Sequence, residues 1–426
     1  MTTTVTINNL PVEARVLEGV TIRYGRDGID DTVPASSCSL QLLATNEDQP
    51  AISLRDLVVV KIDGTIVFRG KVTDRQIDVP FIDSARIGTI QSVIAVGALS
   101  ELGRVLSGGG AYPSELDGAR VSRILTEAAP LAPTIDASTG PISTSEQSYD
   151  YWASAGLETI DAGTVTLNAR TGELAKALEL VDTVTTSAGS PGLYETPAGL
   201  YGYADARRRS KNITPITLDA AVIGASITSA SRVGDLINTV SVTYGTSSPQ
   251  AAVSATDPLS TNAFGIIAKS ITTELASSTD ATDLATRVTR TRSEPRLNLE
   301  SITVNLDLPA LDPTEKTALT GPTYGKPITL TGLDSRMGLG STWQGFIEGW
   351  TISARQGREA ITLNVSARVY SLLLATVSQL SSSVNRLEGN VDGLAELWAP
   401  DPRFDSLSNT INSLSAYTID RAYKIA

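Results

Sequence analysis

The chain has 426 residues, 41% apolar and 19% charged, with a formal net charge of −12, no histidine and one cysteine, Cys38. That length suits about two or three domains with cores of their own, and the acidity argues against a nucleic-acid-binding surface, which needs clustered Lys and Arg. The missing histidines and lone cysteine exclude an intramolecular disulfide, the usual Cys/His zinc sites, and Ser-His-Asp or Cys-His catalysis.

No apolar run approaches the roughly 18 residues that cross a bilayer. The opening MTTTVTINNLPVEARV lacks the basic start and apolar block of a signal peptide, so the expectation is a soluble protein made without general secretory export. Residues 1–97 read as a β-domain. LVVVKIDGTIVFRGKVTDRQIDV, from Leu57 to Val79, is strand, turn and strand, with Asp63-Gly64 as the hairpin signal. Gly70 suggests a bulge or bend, and residues 86–96 give a further strand. Cys38, in CSLQLLA, fits a small core hydrophobe. Asp27, Asp30 and Asp31 crowd three carboxylates into RDGIDDT; the loop lacks EF-hand spacing and reads as a solvated turn.

Residues 98–212 change texture and read as a mixed α+β insertion. SGGGAY before Pro113 is a flexible linker, with no Gly-Lys-Ser/Thr to make it a phosphate loop. DGARVSRILTEAA predicts a helix capped by Asp117, with Val121, Ile124 and Leu125 on one face. PISTSEQSYDYWASAG has no clear period and reads as a surface loop. RTGELAKALELVDTV predicts a second helix, capped by Thr171, with Leu174, Ala175, Leu178 and Val181 facing inward. GLYETPAGLYGYADARR predicts a hairpin turning at Pro197-Ala198-Gly199. The basic run Arg207-Arg208-Arg209 reads as a solvated or interface loop.

Residues 213–370 read as a second β-domain with one helix. LINTVSVTYG is a strand and STDATDLATRVTRTRSE a helix. Ile302, Val304 and Leu306 alternate with polar neighbours, as do Ile361, Leu363, Val365 and Val369. Between these runs lies a long hairpin turning at Gln356-Gly357, whose Trp343 and Trp350 suit a core or a subunit interface. Phe68-Arg69-Gly70-Lys71-Val72 and Trp343-Gln344-Gly345-Phe346-Ile347 both read aromatic-x-Gly-x-aliphatic. The match is compatible with chance or with two copies of one β-domain.

Residues 371–426 form a stem segment. Leu373, Val377, Leu380, Val384, Leu387, Val391, Leu394 and Trp398 make an unbroken heptad seam, the oligomerisation site expected of a coiled-coil helix about 39 Å long. Val at a with Leu at d leans toward dimers. The seam could also fold back on the chain's own β-domain, and the shorter seam Phe404, Leu407, Ile411 and Leu414 could return along it.

The fold class is therefore mainly β with an α+β insertion and a C-terminal coiled coil. TIVFRGKVTD, DGARVSRIL, NTVSVTYG and WQGFIEGWTISARQGREAITLNVSA, in this order, give residues 20–370 a resemblance to minor tail proteins of long-tailed, siphovirus-type bacteriophages, the tail-tip or baseplate-hub family. The resemblance implies two tail-tube-like β-barrel domains per chain, a homotrimer presenting six barrels, and a position at the distal end of the virion tail. The implied partners are the tail tube or distal tail protein, the tape-measure protein and fibre or spike proteins. Viral DNA would pass through without sequence-specific binding. It implies no cofactor and no metal. No lysozyme or peptidase segment is spliced in, and singly scattered carboxylates give no glycosidase pair. Three other readings stay open: a hexameric ring adaptor with one barrel per chain, a host-binding adhesin or spike, and a cell-wall hydrolase.

Overall fold

The computed structural model describes residues 2–367 except 13–15, 30, 45–50, 80, 83–84, 87, 129–159, 200, 211–213, 224–226, 232, 296–297 and 356–357. Both heptad seams, the PISTSEQSYDYWASAG loop, the Gln356-Gly357 turn, Asp30 and Val369 lie outside the described residues.

The first 97 residues supply six main strands: β1 (Thr3–Ile7), β2 (Val16–Gly25), β3 (Ser37–Ala44), β4 (Leu57–Ile62), β5 (Thr65–Asp78) and β6 (Thr89–Val96). They pair antiparallel in the order β2-β3-β6-β5-β4-β1. Strict alternation makes them strands: in β3, Cys38, Leu40, Leu42 and Ala44 are buried while the residues between them face outward. Asp63 and Gly64, both at positive φ (46° and 84°), close the expected β4–β5 hairpin by pairing Ile62 with Thr65.

The insertion contributes helices α1 (Asp117–Ala128) and α2 (Ala177–Ala188), which pack together, and a hairpin of β7 (Gly192–Glu195) and β8 (Tyr201–Ala204). Val121, Ile124 and Leu125 line the buried face of α1, as their spacing predicts. Two caps are different from expectation. The Asp117 carboxylate accepts from the backbone N–H of Thr164 (2.5 Å) and Val165 (3.0 Å) and from the Tyr203 hydroxyl (2.6 Å), so it clamps a neighbouring segment. Helix α2 begins after Lys176, not at Thr171, because Ala175 and Lys176 pair as strand with Ser107 and Leu106. Leu174 is left 65% exposed. The SGGGAY stretch is no loose linker: Glu127 accepts from the Gly108 N–H (3.1 Å), the Ser107 hydroxyl (3.0 Å) and the Tyr112 hydroxyl (2.7 Å).

The remaining elements are β9 (Ile216–Asp219), β10 (Ile227–Ala230), β11 (Thr239–Tyr244), β12 (Ala251–Thr256), β13 (Ala268–Ile271), α3 (Ser278–Arg292), β14 (Asn298–Asn305), β15 (Pro327–Thr331), β16 (Thr342–Arg355) and β17 (Arg358–Ala367). Here the order is β10-β14-β17-β16-β15-β9, antiparallel except for β9 with β15. This is the order of the first six strands repeated. The expected α3 packs on a small satellite sheet, β12-β11-β13, inserted between β10 and β14. Helix Pro258–Phe264 lies within this insertion, and helix Pro313–Thr320 follows β14 and packs against β9.

The aromatic-x-Gly-x-aliphatic motif marks equivalent points of the two copies. A Cβ on Gly70 would run into the Phe68 ring and the Val96 carbonyl; one on Gly345 would run into the Trp343 ring and the Ser366 carbonyl. Each strand then bulges just beyond the motif, between Val72 and Asp74 in β5 and between Ile347 and Gly349 in β16. Gly70 therefore provides close approach, and the expected bulge sits three residues later.

The two copies form one sheet. Past its bulge, β16 pairs Gly349–Ala354 with Gly25–Val20 of β2. Counting the short strand Leu10–Pro11, the joined sheet has 13 strands. It is an open path, and no barrel closes among the described residues. The reason is that the edge strand β2 pairs with the second copy instead of returning to β1. No helix among the described residues is long and apolar enough to cross a membrane.

Candidate functional site: a shared sheet face and its buried clasp

One face of the joined sheet is core. Val304, Ile361, Ile352, Ile22, Cys38, Ala95 and Val72 stand opposite one another in a single row across six paired interfaces. Every member is at most 1% exposed. Cys38 is thus the core hydrophobe expected, and burial pushes its thiol well above the ordinary range.

The opposite face is polar, with charges of both signs spaced among hydroxyls and amides. One row runs Thr303, Thr362, Thr351, Arg23, Ser37, Val96, Lys71; the next runs Asn305, Ala360, Ser353, Thr21, Ser39, Ile94, Asp74; a third runs Gln41, Ser92, Gln76, and Arg355 pairs with Arg358 on the same face. All these side chains reach solvent at least in part. The Thr303 and Thr362 hydroxyls lie 3.0 Å apart. The one guanidinium at the centre, Arg23, donates to Asp27 at 2.5 Å, and the Asn364 amide donates to the same carboxylate at 2.8 Å. Asp27, part of the acidic turn, therefore balances charge on this face. Along the central strands hydroxyls and amides outnumber cations, and such a stretch holds a polyanion only weakly.

A buried clasp fixes the join. The β16 bulge turns Glu348 fully inside, where its carboxylate accepts from Arg26 Nε (2.9 Å) and Nη2 (2.8 Å), from Arg209 Nη2 (2.5 Å) and from the Ser366 hydroxyl. Burial pushes this carboxyl up, but the Arg209 and Arg26 guanidiniums outweigh it and hold the group below its ordinary value. Arg26 lies over the Tyr324 ring at 5.6 Å and Arg209 over Phe346 at 5.3 Å. Gly25, at φ +70°, passes so close to the Glu348 carbonyl that no Cβ fits. Beside it Tyr24 stacks on Trp350 with centroids 5.1 Å apart, so Trp350, like Trp343, is core.

Of the basic run, Arg207 is exposed as read, but the clasp corrects the solvated reading for the other two. Arg208 and Arg209 are 1% and 6% exposed, not solvated. Arg208 Nε donates to Asp161 at 2.6 Å. The partners lie 47 and 139 residues away, so no local spacing could reveal them. Glu195, also buried, accepts from the N–H groups of Ser36 and Leu99 (the latter at 2.8 Å) and so ties β7 to the first copy. No group of Cys, Asp or Glu among the described residues is disposed to hold a metal ion.

With this geometry in hand, comparison with solved structures finds similar chains, two of them as follows. One is a 43 kDa tail protein of prophage MuSo2 from Shewanella oneidensis, with a TM-score of 0.57 at 12% identity over 87% of this chain and 98% of that one. The other is a tail protein from Neisseria meningitidis, with a TM-score of 0.58 at 13% identity over 87% of this chain and 97% of that one. The chain has the fold of these phage-type tail proteins. No family model and no curated protein matches the sequence.

Proposed function

We propose that this chain is a non-enzymatic structural protein of a phage-type tail, an element of the tail-tip or baseplate hub. Each six-stranded copy forms one arc of a ring, and the polar face lines the passage for viral DNA. The observation that carries this reading is the duplicated sheet, whose hydroxyl-rich polar face continues across the join between the two copies. The similar tail-protein folds support it. A wall rich in hydroxyls suits transit because it gives a polyanion few groups to bind. Three chains would supply six arcs, with the tube-like barrels completed only on assembly and the seam from Leu373 to Trp398 on the shared axis. The partners are then the tail tube or distal tail protein, the tape-measure protein and fibre or spike proteins, all at the distal end of the virion tail.

Light scattering with electron microscopy of the purified chain tests this. A trimer seen as an annulus with an open centre is expected. A stable monomer, or a compact particle without a passage, would contradict it.

A further inference from the structure

We propose that neighbouring chains join by strand addition: β10 of one chain pairs antiparallel with Gln76–Val79 on the open edge of β5 in the next. The register is the one that β2 and β16 use within the chain. This deepens the ring reading above and rests on it.

The internal duplication supplies the template. Ladder pairing makes Trp350, Leu363, Ile302 and Ile227 of the second copy the counterparts of Arg75, Val93, Leu40 and Val20 of the first. The β16 stretch Gly349–Ala354 therefore corresponds to residues 74–79. In the second copy β2 covers that stretch. In the first copy β4 ends opposite Lys71, and beyond the bulge Asp74–Asp78 pairs with β6 alone among the described residues. Burial records the difference. Ile352 and Ala354 are 0% and 3% exposed, whereas their counterparts Ile77 and Val79 are 39% and 38% exposed.

The strand that would cover them is present too. β10 corresponds to β2, ends the sheet path, and pairs with β14 alone among the described residues. Its sequence, ITSA, carries no charge or proline to blunt an open edge. Within the chain the two edges do not pair: β10 ends the path, seven strand steps from β5. The occupant is therefore a second copy of the chain. Each chain offers one donor edge and one acceptor edge, a heterologous contact that builds a ring where its rotation closes. Copying the β2–β16 register sets Ile227 opposite Val79 and Thr228 opposite Asp78.

Disulfide trapping in the full chain tests this. Chains carrying Asp78→Cys are mixed with chains carrying Thr228→Cys, and Val79→Cys with Ile227→Cys, under mild oxidation. Leu259→Cys, at an exposed position, serves as the mismatched partner. Cys38 is buried and forms no link. Covalent dimers are expected from at least one matched pair and none from Asp78→Cys with Leu259→Cys. The Asp78→Cys/Thr228→Cys double variant should link up to the mass that light scattering reports for the native assembly. An oligomer in which neither matched pair links overturns the edge contact while leaving the ring reading intact. A chain that stays monomeric at every concentration overturns both.

Discussion

Glu348 concentrates the residue-scale physics, because one carboxylate draws guanidiniums from the first copy and the insertion onto a bulge of the second. Removing one partner of such a cluster strands buried charge, so Glu348→Ala should lower the unfolding free energy by about 3–5 kcal/mol, read from denaturant unfolding. Its pH dependence has a definite sign. A carboxyl held below its ordinary value contributes fully above that value, and the contribution is lost as pH falls through the folded one. The stability gap between the native chain and Glu348→Gln should therefore narrow in acid and stay level from about pH 6 to 8. Glu195 runs the other way. Burial raises it against the hydrogen bonds from Ser36 and Leu99, so its contribution weakens as pH rises through the folded value. Cys38 was legible as core from its strand pattern, and Trp350 as a residue of the core or of an interface. Arg209 was not, because its partner is set by the fold alone.

Among elements, the paired glycines make the sharpest case. Gly70→Ala and Gly345→Ala each force a methyl into an aromatic ring and a carbonyl, and each should cost about 1–3 kcal/mol as overpacking does. Gly64→Ala meets nothing within 4 Å and only the strain of φ +84°, so its cost should stay near 1 kcal/mol. Thermal melts followed by circular dichroism would rank the three. Local patterns were enough to read the Asp63-Gly64 hairpin, the β7–β8 hairpin and α3. The start of α2 was misread because a pairing with Leu106–Ser107, some seventy residues back, claims the backbone that a helix would need.

For the whole molecule, only five residues of aromatic-x-Gly-x-aliphatic hinted at duplication. The satellite sheet and α3 interrupt the second copy where the first has a short connection, which hides the repeat from any scan by length. Openness of the sheet was equally hidden, since edge pairing depends on which copy β2 meets. If the polar face lines a passage, the uncharged stretch of Thr351, Ser353 and Thr362 matters. Replacing Thr351, Ser353 and Thr362 by Lys should give the assembled protein salt-sensitive retention of duplex DNA, which the native chain should lack in filter binding. The most direct measurement is a cryo-electron microscopy reconstruction of the assembled protein fine enough to trace strands. It should show Thr351, Ser353, Thr362 and Ser92 turned toward a central opening. A reconstruction with that face directed outward, or buried against another copy, would contradict the passage-lining role.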